Sequence, residues 1–403
     1  MEADSQDSTA HPAQRTTAWL ILAVLLLFSI AAPLNQFKVP PILPVLMDEL
    51  GLSVSRAGLL MSVFALTGLV LALPAGLIYQ KAGPRVAGLL AGGSVVVGAA
   101  LGALSRSTGA LLASRVIEGI GTSLMAVLAP AIIAQWFVAR RRGTAMGIWA
   151  IWMPVGSVTM LFLAPALAQW AGWRAVWWLG AGYALLVLLL YLALVRPAPA
   201  VHSGMAVTRP AGEGVTAVRV LRNRDLWLLS AAFAAQSAAA MGGFTYLSTF
   251  LTSRHGVSLA QAAWVASTGT LTGLVATPAC GLVSDRIGSR KKPLVAGLAA
   301  LAILAPLAGF VGFSGVVVLL ALQGVVLGLI APNIFAAAME AAGDERQGGL
   351  AMAIIMVGQN AGMLVGPLIF GGLVEGPGWP VAFASLAVMA ASGLLAGWLA
   401  KVR

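Results

Sequence analysis

Apolar residues run along this chain in blocks of about twenty, the length a helix needs to cross the hydrocarbon core of a bilayer, and short polar stretches close each block. Twelve such blocks are centred near Leu27, Leu69, Val96, Met125, Thr159, Leu186, Ala239, Leu271, Ala302, Gly328, Ala361 and Leu386. They predict an all-α integral membrane protein of twelve transmembrane helices. A tail over 1–16 precedes a six-helix bundle over 17–196, and a polar linker over 197–224, containing Pro, Gly, Ser and several arginines, leads to a second six-helix bundle over 225–403.

The two bundles read as copies of one another. Gly281-Leu-Val-Ser-Asp285-Arg286-Ile-Gly288-Ser-Arg290-Lys-Lys292 has a degraded twin in Gly76-Leu-Ile-Tyr-Gln80-Lys81-Ala-Gly83-Pro-Arg85, about 205 positions earlier from Gly281 back to Gly76. Near the same offset, Glu118-Gly119 matches Gln323-Gly324, Ala129-Pro130 matches Ala331-Pro332, and Gly172-Trp173 matches Gly378-Trp379. Four matches in one order identify an internal duplication, the device by which transporters build two halves that rock around a central site.

Composition agrees with the pattern: 60% of the residues are hydrophobic and 9% charged, far from the balance of a soluble domain. The net charge of +11 is a topology signal, because the basic residues concentrate in alternate loops. One set of loops and tails holds eighteen of the 24 Lys and Arg residues; the opposite set holds Arg56, Arg106, Arg174 and Arg254, and Lys38 and Arg115 fall inside apolar blocks. Both termini are therefore expected in the cytoplasm, and no nucleic-acid partner is expected. The first sixteen residues carry Glu2, Asp4 and Asp7 against Arg15, and the apolar block that follows is too long for a signal-peptide core. A single cysteine, Cys280, excludes disulfide frameworks and is expected to serve packing.

The run Gly281, Asp285, Arg286, Gly288, Arg290 and Lys291, at the end of a second helix of its half, resembles the signature loop of the major facilitator superfamily. Arg115-x-x-x-Gly119-x-Gly121 on the fourth span and Gly172-Trp173-Arg174 before the sixth are similar to features of the same family, so the resemblance covers essentially the whole chain. It implies two six-helix repeats around a central cavity lined by the first, fourth, seventh and tenth helices. It also implies a conformational latch in which Gly76, Gly83, Arg85, Gly281, Asp285, Arg286, Gly288 and Arg290 take part. Gln80 stands where the family has aspartate, which leaves Asp285 to act alone. The plain alternative is a topology anchor, held on its side by the basic residues.

Charges inside a bilayer cost several kcal/mol each, so the few present single themselves out. Lys38 follows Asn35-Gln36-Phe37 and precedes Val39-Pro40-Pro41, where two prolines interrupt the first helix. Counted from Met47, Lys38 lies ~13 Å deep; counted from Gly109, Arg115 lies ~9 Å and Glu118 ~13 Å deep. Lys38 and Glu118 thus share a level and are expected to meet or to face one substrate. Glu118 is the only acidic residue deep in any span and hence the candidate for proton coupling. The alternatives are a Lys38 that snorkels to the interface and an Arg115–Glu118 pair that neutralises itself and holds helices together.

Asn35, Gln36, Lys38, Arg115 and Trp152 in the first half, with Gln236, Tyr246, Gln323 and Asn333 in the second, are the candidate substrate-binding residues. Each neutral one serves equally as an interhelical hydrogen-bonding group. On the eleventh span Gly358, Gly362, Gly366-Pro367 and Gly371-Gly372 permit close helix packing and a bend. The fifth span carries Ala164-Pro165 where drug and proton antiporters of the family carry Gly-Pro and Gly-Gly, which argues against drug efflux.

The leading expectation is a secondary active transporter that moves a small polar, anionic solute across the cytoplasmic (inner) membrane by alternating access, with proton symport as its coupling. The stretch from Gln36 to Pro44 is faintly similar to cyanate-permease-type carriers. The alternative is a drug/proton antiporter that exports hydrophobic compounds, in keeping with the Met- and Trp-rich first half. Expected partners are the small-molecule substrate, protons and the lipid bilayer, with the chain acting as a monomer. No cofactor or metal is expected. His11, His202 and His255 are scattered in tails and loops, no span holds two acids, and there is no Walker-type loop, so an intramembrane enzyme and an ATP-driven pump are not expected.

Overall fold

A computed structural model of the chain describes residues 12–71, 74–137, 139–195, 220–287, 289–342 and 348–402. The tail over 1–11 and most of the linker, through 219, lie outside the described residues, as does Gly288. The chain forms α1 (Pro12–Gln36), a 3-10 turn (Pro40–Ile42), α2 (Leu43–Leu50), α3 (Val54–Leu71), α4 (Pro74–Leu104), α5 (Thr108–Trp136), α6 (Ala139–Trp149), α7 (Trp152–Ala171) and α8 (Trp173–Leu194). After the linker come α9 (Arg224–His255), α10 (Leu259–Ile287), α11 (Lys291–Leu307), α12 (Phe313–Ala342), α13 (Gly348–Glu375) and α14 (Trp379–Leu399).

Ten of the described segments are long and apolar enough to cross a bilayer. Two more helices, the polar-spotted α10 of 29 residues and the short α11 of 17, complete two sets of six spans. The first span comprises α1, the turn and α2, which together run from Thr16 to Leu50. The second and third spans part inside α4, whose helix is interrupted at Gly83, where a φ of 74° is a left-handed value open to glycine. In the repeats, Gly172 (φ 78°, ψ 164°) and Gly378 (φ 97°, ψ −178°) make the same turn into a Trp-led helix. The duplication read from the sequence is thus also a duplication of backbone geometry.

Within each half the helices approach through small residues, since lipid supplies no hydrophobic drive for them to associate. Gly358, Gly362 and Gly366 of α13 present their bare Cα atoms to the backbone at Ser230, Ala234 and Ala238 of α9. Ser230 adds a hydrogen bond from its hydroxyl to the Ile354 carbonyl at 2.7 Å. The halves meet along α3 with α13 and α7 with α10, and the 3-10 turn and α2 pack on α9. At the end of the bundle that is poor in arginine, Tyr246 Oη lies 2.8 Å from the Val54 carbonyl of the other half and 3.2 Å from the Pro367 carbonyl of its own. Ser55 N donates to Glu375 Oε2 at 3.1 Å, and Phe37 meets Phe244 edge-to-face at 5.7 Å.

Because any Cβ at 362 would collide with the carbonyl of Ala234, Gly362→Val is expected to lower stability by about 1–3 kcal/mol, as overpacking does in well-filled interiors. A lower melting temperature of the purified protein, with Gly372→Ala as a control that meets nothing within 4 Å, is the measurement that checks it.

Candidate functional site

The break in the first span creates the site. Pro40 has no N–H, so the Gln36 carbonyl loses the donor that a continuous helix would give it, and a bare carbonyl inside a membrane costs several kcal/mol. Arg115 of α5 supplies the missing donors: Nη2 to Gln36 O at 3.0 Å and Nη1 to Asn35 O at 2.7 Å. Its Nε reaches Leu60 O on α3 at 3.1 Å, and its guanidinium lies 4.5 Å from the centre of the Phe64 ring. One side chain thereby ties the fourth span to the first and second.

That buried guanidinium calls for an anion, and Glu118, one turn further along α5, provides it. One carboxylate oxygen pairs with Arg115 Nη1 and the other accepts from Lys38 Nζ at 2.6 Å. Gly98 of α4 faces Glu118; a Cβ there would stand 2.7 Å from Glu118 Cγ, so the glycine makes room for the carboxylate. Lys38 also donates to Asn35 Oδ1 at 2.9 Å and lies 4.5 Å above the Trp177 ring of α8. Asn35 is held by its own amide, which reaches Ala31 O at 2.9 Å and Gly180 O at 3.4 Å. Asn35, Lys38, Arg115 and Glu118 have no exposed surface. Two cations and one carboxylate share this closed space, an excess of one positive charge.

Of the two arrangements their equal depths allow, Lys38 and Glu118 adopt direct contact, inside the first half and against α8 rather than at a solvent-filled surface. Lys38 does not snorkel. Gln36 contributes its backbone carbonyl, and Trp152 stacks on Trp149 with centroids 5.4 Å apart, while Trp149 Nε1 donates to Ser29 Oγ at 2.9 Å.

The candidates of the second half are dispersed. Gln236 is buried with its Oε1 unpartnered. Tyr246 sits on the seam between halves. Gln323 lines a cavity of 140 Å³ inside the second half, and its amide donates to Leu304 O at 3.3 Å. Asn333 lies toward the arginine-rich end, where its Oδ1 is 2.5 Å from the Ser284 hydroxyl, which in turn accepts from Arg290 Nη1 at 3.0 Å.

In the signature loop, Arg290 also reaches Glu340 Oε1 at 3.4 Å, so α12 is linked to the loop through both Asn333 and Glu340. Tyr79 and Gln135, 2.9 Å apart, make the corresponding tie in the first half. Arg85 donates to Leu192 O at 3.3 Å, and Arg286 is exposed. Gly76 and Gly281 lie within helices, but their surroundings, like the side chains of Gln80 and Asp285, lie outside the described residues. Trp177, Ser284, Glu340 and Gln135 were not singled out from the sequence; Tyr79 and Gln135 stand 205 positions before Ser284 and Glu340, so the repeat offset is the signal that could have found the two ties.

A family model described as Major Facilitator Superfamily matches residues 20–260 and 237–403. The chain belongs to the major facilitator superfamily. Among the superfamily's members, an uncharacterized transporter of Mycobacterium tuberculosis is 28% identical over 91% of this chain and 81% of its own length. A Cupriavidus necator protein named "Probable sulfoacetate transporter SauU" is 25% identical over 90% and 88%, and a chloramphenicol resistance protein of Streptomyces lividans is 26% identical over 84% and 86%. The fold matches that of a bacterial homologue of the human lysosomal transporter Spinster in its inward-facing, unoccupied form. The TM-score is 0.78 at 18% identity, covering 96% of this chain and 98% of that one.

Two outcomes are expected of this superfamily member's buried charges and seam. Glu118→Leu leaves Lys38 and Arg115 buried without an anion and should lower stability by about 3–5 kcal/mol, whereas adding Lys38→Met should restore part of the loss; a double-mutant cycle on thermal melting measures both. Tyr246→Phe removes the hydroxyl proton that reaches Val54 O across the seam. It should loosen the arginine-poor end by about 0.5–1.5 kcal/mol, read as faster alkylation of a cysteine placed at Ser55.

Proposed function

We propose that the protein is a secondary active transporter that carries a small polar, anionic solute across the cytoplasmic membrane by alternating access, in symport with protons, as a monomer with both termini in the cytoplasm. The observation that supports this reading is the charge imbalance at the break of the first span. Lys38 and Arg115 face a single carboxylate, and Arg115 is already committed to backbone carbonyls. Lys38 is the cation whose partner can be exchanged. An anion that reaches Lys38 when the first span moves would compete with Glu118 for the ammonium, and the displaced carboxylate would take up a proton. One anion and one proton would then enter together, and the site would keep its net charge. The likeness to the sulfoacetate carrier's sequence is in keeping with a small organic anion.

A second reading, export of a hydrophobic compound, draws on the likeness to the chloramphenicol resistance protein and on the stacked Trp149–Trp152 pair.

Uptake of sulfoacetate and related small sulfonates and carboxylates into proteoliposomes, with and without an inward proton gradient, tests the proposal. Lys38→Ala leaves Arg115 and Glu118 paired and should fold, yet lower uptake about ten-fold or more, equivalent to ~1.4 kcal/mol. Glu118→Gln, where it remains monodisperse, should retain exchange and lose the response to the gradient. If no anion moves while lipophilic compounds do, the export reading replaces this one.

A further inference from the structure

The duplication sets a comparison that the two halves answer differently. At the repeat offset, Arg115 and Glu118 correspond to Leu320 and Gln323; in the same alignment Lys38 corresponds to Gly243, Asn35 to Ala240 and Trp177 to Phe383. All five counterparts line the 140 Å³ cavity between α9, α10, α11, α12 and α14. In the first half this volume is filled by Lys38, Arg115 and Asn35 under Trp177. In the second half every one of those four positions holds a smaller residue, and the space they would occupy is open.

The cavity wall is Ala, Gly, Leu and Phe, with Thr270 and Gln323 as its polar members. Gln323 donates its amide N–H to Leu304 O, and among the described residues no donor is found on its Oε1. Thr268 and Thr277 of α10 bond back to their own helix, and Thr272 Oγ1 reaches both its own helix and Ala321 O of α12 at 2.8 Å. Its volume is comparable to that of an apolar cavity of about 150 Å³ that takes up benzene.

We infer that the second half contains a binding site for a small neutral molecule of single-ring size with one hydrogen-bond donor, phenol being the simplest probe. The ring fills the volume vacated by the charged cluster, and its hydroxyl donates to Gln323 Oε1. Charged solutes are excluded, because the cavity has no counter-ion to offer. Gly243 and Phe244 place the site beside the Phe37–Phe244 contact between halves, so an occupant rests against the helix that forms that seam.

The test is thermal melting and calorimetric titration of the purified protein with phenol, toluene and 1-naphthol. Phenol and toluene should raise the melting temperature saturably, and the two-ring 1-naphthol should not. Gln323→Leu should weaken phenol about ten-fold, the worth of one hydrogen bond to an otherwise unpaired group, and leave toluene unchanged. Gly243→Leu, where an added Cβ meets only Leu386 Cδ1 at 3.4 Å, should fill the cavity and abolish binding of both. Ala305→Leu, on the α11 wall, is an independent filling variant should the first not fold. The inference is overturned if neither probe gives a saturable shift in the unmodified protein, or if either folded filling variant binds as the unmodified protein does.

Discussion

A carbonyl without a donor cannot be left facing lipid, and much of the first half follows from that single constraint. Proline at position 40 removes a donor from the first span; Arg115 replaces it; the guanidinium then demands an anion and receives Glu118; and the remaining carboxylate oxygen takes Lys38. Gly98 and Asn35 give the cluster its room and its orientation. Each member is there because its neighbour would otherwise be a buried, unsatisfied group. Such a network is expensive to assemble and specific once assembled, since removing Arg115 or Glu118 leaves buried groups without their partners.

The second half began from the same plan and resolved it in the opposite way. Its seventh span continues unbroken from Arg224 to His255, so no carbonyl is orphaned and no arginine is needed at position 320. With no arginine there is no need for an acid, and Gln323 suffices. The two bundles share their glycine turns and their small-residue crossings, yet one has a polar core and the other an apolar, incompletely filled one. At this level of the membrane the two halves have diverged from charged and filled to neutral and open.

The spans, their number and the duplication were legible in the sequence because lipid imposes long apolar blocks and because glycines at turns and crossings have few substitutes. Depth was legible too: a count of residues at 1.5 Å each put Lys38 opposite Glu118. What a one-dimensional count does not contain is the direction in which a side chain points around its helix. Whether Lys38 looked toward the other half or toward α8 depended on the 3-10 turn at Pro40, and that turn aims it at Trp177. Asn333 was grouped with Gln323 because both are polar on the same helix. Ten residues separate them, and the former serves the signature loop while the latter serves the cavity.

Tyr246 carries one proton and stands within reach of two carbonyls, one in each half. When the halves separate at this end, Val54 is lost as an acceptor, but Pro367 travels with the tyrosine. The hydroxyl is therefore never stranded, and the parting of the halves costs less than the full loss of a buried hydrogen bond. A contact built in this way defines the closed state without making it a trap.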